Sequence, residues 1–277
     1  MRTWLAALLA VLLPVAASAA GEPVYPWLTQ APTRTLADSF APPGGFLRAP
    51  ADPGSFGDWL RHLPLAPDGT PVRLYDGREK ADQSEVAAVI DIDVGGADLQ
   101  QCADAIIRLR AEYLFSLGAA GDLAFDFTSG DRYRFRSYAE GVTPAVTGAK
   151  VAWRTGQRHG LAHDSLRGWL DIVFNYAGTL SLSRELRPVP RLTDAAIGDV
   201  LVHGGTPGHA VLIVDLAIEP ASGRKVALLA QGFMPAQSVH VLRNPLDPTL
   251  SPWFALADGQ PIVMPEWMLR ADELRRF

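Results

Sequence analysis

Ile197-Gly-Asp-Val-Leu-Val-His-Gly-Gly-Thr-Pro-Gly-His-Ala-Val-Leu-Ile-Val-Asp215 holds two aliphatic, β-branched runs separated by a Gly/Pro turn, a pattern that predicts two adjacent antiparallel strands. The second run opens on Gly208-His209, and Pro220-Ala-Ser-Gly223 then turns the chain into Lys225–Ala230, with a further strand at Ser238–Leu242. Residues 197–202, 210–217, 225–230 and 238–242 therefore predict one antiparallel β section. A strand holds an imidazole more rigidly than a loop does, and Gly208 beside His209 lets another backbone or a substrate come close.

Upstream, Asp98-Leu-Gln-Gln-Cys-Ala-Asp-Ala-Ile-Ile-Arg-Leu-Arg-Ala-Glu-Tyr113 predicts a helix. Ala105, Ile106, Leu109, Tyr113 and Leu117 recur at spacings of three and four and share one face, with Asp98 as the expected N-cap and Cys102 leading the face. Ser55–His62 predicts a short amphipathic helix, Val72–Tyr75 and Val86–Val94 short strands, and Leu123–Phe127 with Tyr133–Phe135 a hairpin around Thr128-Ser-Gly-Asp131. Gly141–His163 has the composition of a loop. Asp164 or Ser165 caps a second long helix through Trp169, Leu170, Val173, Phe174 and Ala177, and the Pro- and Trp-rich stretch from Asn244 is expected to wrap the outside. Helices and antiparallel strands in mixed order predict an α+β domain rather than a parallel βαβ array.

Met1-Arg2-Thr3 followed by the apolar run Trp4–Val15 and the small-residue site Ala17-Ser18-Ala19 predicts a signal peptide over residues 1–19, hence an exported chain, periplasmic or extracellular. No later stretch reaches the roughly 18 uninterrupted apolar residues of a spanning helix, so no transmembrane segment is expected in the mature chain. Residues 20–57 are rich in Pro, Gly and Ala and predict an arm or linker. Residues 58–277 are expected to form one α+β domain with a long insertion at about 120–195. A composition of 48% hydrophobic and 20% charged residues excludes a disordered chain. The net charge of −5 and the absence of a Lys/Arg block argue against nucleic acid as a partner. Oligomeric state is not encoded in any of these features.

Cys102 is the one cysteine, so an internal disulfide is impossible, and an unpaired thiol in an oxidising compartment is expected to be either buried or used. Both fates suit its position. As a packing residue it is a small hydrophobe; as a nucleophile it would profit from a helix N-terminus and from an imidazole, each of which lowers a thiol pKa. His209 is the candidate base. Gln231, across a predicted hairpin, is placed to bond the far ring nitrogen and orient the imidazole, with strand-end satisfaction as its plainer role; His240 is the alternative third residue. Asp199 reads as a turn or strand-start residue. His159 and His163 have metal-ligand spacing and Asp164 follows them, but without a second compact cluster no metal and no cofactor is expected. Nucleophile-elbow, His-Glu-x-x-His and phosphate-loop motifs are missing from the sequence.

Gln101-Cys102-Ala-Asp-Ala-Ile-Ile-Arg-Leu-Arg110 resembles the Gln-Cys helix start of the CHAP amidases. Gly198-Asp199 followed by Gly208-His209-Ala-Val-Leu-Ile-Val214 resembles the two strands shared by CHAP and NlpC/P60 papain-like cysteine peptidases, and Leu229-Ala-Gln231 is similar to the strand carrying their third polar residue. The resemblance implies a papain-like fold with a Cys-bearing helix packed on an antiparallel sheet. It also implies Cys102 as nucleophile, His209 as base, Gln231 as orienter and the Cys102 N–H in the oxyanion hole. The roughly hundred residues between Cys102 and His209 exceed the usual spacing and require insertions, and Gln replaces the more usual Glu, Asp, Asn or His. From about Phe56 onward the chain also resembles a family of exported bacterial proteins known only as a domain of unknown function, through Leu99-Gln-Gln-Cys-Ala-Asp104, Tyr176–Leu182, Gly205–Val211 and Ala230–Gln237. The expected activity is that of a thiol hydrolase, amidase or peptidase, of the envelope, with cell-wall peptides as the expected substrate. A non-catalytic exported binding protein of the same fold is the alternative.

Overall fold

The computed structural model describes residues 24–277; the signal peptide expected over residues 1–19 lies outside them. In chain order the elements begin with α1 (Leu36–Ser39), β1 (Leu47–Arg48), α2 (Phe56–Arg61), β2 (Val86–Val89) and α3 (Cys102–Ser116). Next come β3 (Ala124–Asp126), β4 (Arg132–Arg134), α4 (Phe135–Ala139), β5 (Val142–Thr147), β6 (Lys150–Thr155), α5 (His163–Tyr176) and α6 (Thr179–Glu185). The remainder is strand: β7 (Arg187–Pro188), β8 (Val200–His203), β9 (His209–Ile218), β10 (Lys225–Gln231), β11 (His240–Leu242), β12 (Phe254–Leu256), β13 (Ile262–Val263), β14 (Met268–Leu269) and β15 (Leu274–Arg276). The architecture is α+β.

The main sheet runs β2-β11-β10-β9-β8-β15-β7, with β1 added to β9 and β12 to β10, and each of these pairings is antiparallel. Strand β9 is apolar from Ala210 to Val214 because both of its faces are covered. Ala210, Leu212 and Val214 face a core shared with Ile106, Leu109 and Trp59 of the helices. Val211 and Ile213 face a second core built with Leu192, Phe254, Ile262, Met264 and Leu274. Between Leu228 and Leu229 the β9–β10 register shifts, a bulge that interrupts the alternation next to Asp215. That fully buried aspartate accepts ion pairs from Arg48 and from Arg61. Two cations on one buried carboxylate are needed there, because a lone charge in such a place costs several kcal/mol.

Several local expectations change. The helix carrying Cys102 is capped by Gln101, whose backbone N–H donates to Asp104 at 3.1 Å; Asp98 instead accepts from the backbone of Ala236 at 2.7 Å and from Gln101 Nε2 at 3.0 Å. Residues 142–155, expected as loop, form the β5–β6 hairpin. None of its strand residues is buried, so no apolar alternation marks it. The tail does not merely wrap the outside: β12 and β15 join the main sheet and Trp253 is buried. Of residues 20–57, read as arm or linker, those among the described residues are bonded into the domain through β1 and through buried Tyr25, Leu36 and Phe46. Within residues 120–195, Trp169 is surrounded by Phe125, Tyr133 and Phe135, an aromatic cluster continuous with the helix-side core.

Candidate active site

Helix α3 packs on β9 and β10, and its first turn meets the ends of both strands. At Gly232, just past β10, a side chain would bring its Cβ to 2.9 Å from the Gln101 carbonyl oxygen and 3.1 Å from Ala105 Cβ. Backbone therefore lies almost on backbone there, and only glycine permits it. On the other side, α3 packs against β9, the strand that opens on His209. Cys102 stands in the first turn of α3, whose amides have no partners inside the helix.

His209 is 1% exposed. Its ring lies 5.2 Å from Phe233 and 5.3 Å from Trp267, centroid to centroid. Its Nε2 is 2.7 Å from Gln231 Oε1, the contact anticipated from the hairpin. Gln231 Nε2 in turn donates to Glu266 Oε2 at 2.7 Å, and Glu266 pairs with Lys80 at 2.9 Å. Lys80 also pairs with Glu85 at 2.9 Å. Glu266 and Trp267 both belong to the turn joining β13 to β14. Sequence reasoning missed them: they lie beyond the predicted strands, in Met264-Pro-Glu-Trp-Met268, and no periodicity links them to His209.

Electrostatics run against one expectation. Burial pushes the Cys102 thiol up to about 11, the Asp104 carboxylate adds to the rise, and backbone N–H groups oppose it. Desolvation outweighs the helix N-terminus, so the thiol rests protonated. Burial likewise pushes Asp104 up to about 8, against the backbone bonds from Gln101 and from its own N–H; its Oδ1 is buried without a partner. Burial holds His209 below the ordinary imidazole value, although Gln231 and then Glu266 pull it upward.

Cys102 helps to line a groove of about 420 Å³, together with Leu99 and Asp104 and with Thr206, Pro207 and Gly208. Thr128, Phe174, Asn175 and Gly178–Leu180, all from residues 120–195, form a further wall, and half-exposed Met234 stands at the rim. Neither His209 nor Gln231 is among the residues lining this groove.

Other candidates fall elsewhere. His240 is directly opposite Gln231 in the β10–β11 register, but its Nδ1 lies 2.9 Å from the Ser238 carbonyl and burial pushes it down to about 4. Asp199 receives Arg276 at 2.6 and 2.7 Å and the Ala196 N–H at 2.8 Å, the role of a turn residue tied to β15. His159 stacks on Tyr138 with centroids 4.1 Å apart, whereas His163 contacts Glu112 at 2.8 Å, so the two are engaged separately. No group of three or more His, Cys, Asp or Glu among the described residues is arranged to hold a metal ion, and no helix there is long and apolar enough to cross a membrane.

A family model described as a domain of unknown function (4846) matches residues 36–276. No curated protein and no solved structure matches the chain.

Proposed function

The chain belongs to this domain family of unknown function, and within it we propose a papain-like thiol hydrolase, an exported amidase or peptidase acting on cell-wall peptides in the bacterial envelope. The observation that supports this reading is the 2.7 Å bond from His209 to Gln231 on the strands against which the Cys102 helix packs, beside an open groove that Cys102 helps to line. A Cys-bearing helix lying on the strands that carry the base and its orienting partner is also the arrangement implied by the resemblance to CHAP and NlpC/P60 enzymes. Export rests on the leader pattern in residues 1–19.

Because the thiol rests protonated and the imidazole neutral, attack and proton transfer occur together. Cys102 Sγ adds to the amide carbonyl while His209 takes the thiol proton on the ring nitrogen that Gln231 does not engage. The oxyanion receives the Cys102 N–H at the head of α3. Collapse returns the proton from His209 to the leaving amine, and water, deprotonated by the same imidazole, releases the acyl group and restores the thiol. The test combines turnover with labelling: purified protein should cleave a peptide-bearing cell-wall fragment, Cys102→Ala should not, and iodoacetamide should modify Cys102 in the native state more slowly after His209→Ala. Modification that appears only on denaturation overturns the proposal.

One observation favours the alternative, a non-catalytic exported binding protein of the same fold: Cys102 is only 6% exposed and its pKa is driven upward by burial, as for a packing residue. In that case the groove binds its ligand intact, and Cys102→Ala retains binding with no turnover in either form.

A further inference from the structure

We propose that Glu266 is a positioning residue that sets the tautomer of His209 through Gln231. The inference follows from which groups can donate. A carboxylate only accepts hydrogen bonds, so Gln231 must turn its NH₂ toward Glu266, 2.7 Å away. Its carbonyl oxygen then faces His209 Nε2, also at 2.7 Å. That oxygen is again an acceptor only, so Nε2 carries the hydrogen. A neutral imidazole has one N–H, and the lone pair is therefore fixed on Nδ1. Lys80, bonded to Glu266 Oε1 at 2.9 Å, holds the carboxylate in place.

Gln231 alone cannot do this. An amide rotated by half a turn presents NH₂ to Nε2 and selects the opposite tautomer, with its lone pair spent on Gln231 and an N–H where a base is needed. The same β13–β14 turn supplies Trp267, packed 5.3 Å from the ring, so one turn both desolvates the imidazole and decides which nitrogen is basic. The consequence for catalysis rests on the thiol hydrolase reading; the tautomer assignment does not.

The two are separable by experiment. With all histidines ¹⁵N-labelled, and the His209 signals assigned by their loss in His209→Gln, the nitrogen shifts at neutral pH report each tautomer directly. The intact protein should show Nε2–H with Nδ1 unprotonated. Glu266→Gln, which keeps the shape but can donate as well as accept, should raise the Nδ1–H fraction at least tenfold. The exchanged pair Gln231→Glu with Glu266→Gln should restore Nε2–H, because the carboxylate then accepts from the ring directly. An unchanged tautomer in Glu266→Gln overturns the inference, as does an Nδ1–H form in the intact protein. If Glu266→Gln unfolds the chain, the intact protein and the exchanged pair still decide, since both must show Nε2–H. A tautomer that shifts as expected while turnover and Cys102 alkylation stay constant supports the inference and removes the hydrolase reading instead.

Discussion

The two ends of helix α3 bury carboxyl groups in opposite ways. In its first turn Asp104 has one oxygen on the Gln101 N–H and the other without a partner, with no cation in contact. Two turns later Glu112, 1% exposed, is bonded by Arg108 at 2.7 Å and His163 at 2.8 Å, and Arg108 continues to Asp93 at 3.0 Å. The compensated end clamps α3 to α5 and closes its own hydrogen bonding, as a structural cluster must. The uncompensated end lies at the groove beside the thiol. The imidazoles follow suit: His163 meets a carboxylate directly, whereas Gln231 stands between His209 and Glu266, so the ring is oriented without being charged. Hydrogen-bond closure thus separates scaffold from candidate chemistry on one helix.

The largest expected effect breaks the comparison at the histidines. His209→Ala should lower hydrolysis of a cell-wall peptide by about 10²–10⁴-fold, the span of general acid–base contributions, while His163→Ala leaves the rate within a few-fold. Equal losses in steady-state assays would erase the distinction. Next, Arg108→Leu should cost about 3–5 kcal/mol, because it removes the arginine partner of a buried carboxylate and leaves it only His163; the urea midpoint reads this.

Asp104 gives a pH signature. Its folded pKa is raised from 3.8 to about 8, so across that window the folded chain keeps a proton that the unfolded chain has released, and stability falls as pH rises. Asp104→Asn should flatten that slope in melts at pH 5 and pH 8 and recover on the order of 1–3 kcal/mol at the alkaline end, the range for an unsatisfied buried group. A slope unaltered by the substitution would assign the pH effect to other groups. Smallest, exchanging Gln231→Glu with Glu266→Gln gives His209 the direct carboxylate that His163 has. Its pKa should rise by about one unit, read by NMR titration.

Much of the sheet was legible because its signals are local. Val200–Val202, Ala210–Val214 and Val226–Ala230 are aliphatic runs bounded by Gly and Pro turns, and a hairpin brings Gln231 within reach of His209 whatever surrounds it. The cap of α3 was not legible in the same way. Asp98 and Asp104 both fit a helix start, and the docking of Ala236 onto Asp98 settles which one is occupied elsewhere. Glu266 was beyond reach for a related reason: 35 residues separate it from Gln231, and only the course of the tail across the second core brings it back. The pKa of Cys102 depends on how completely the groove walls exclude water, a property of assembled side chains and not of the helix start that the sequence displays.

Strand β15 lies between β8 and β7, and this placement has a kinetic consequence. The β9–β10 hairpin closes over a short turn and can form early, whereas the β8–β15 pairing joins Leu201 to Leu274 and must wait for a long loop to close. The turn bearing Glu266 lies on that same late-arriving stretch. A refolding chain would therefore acquire its thiol helix and imidazole strand before Glu266, the proposed positioning residue, so regain of thiol reactivity should lag behind regain of secondary structure.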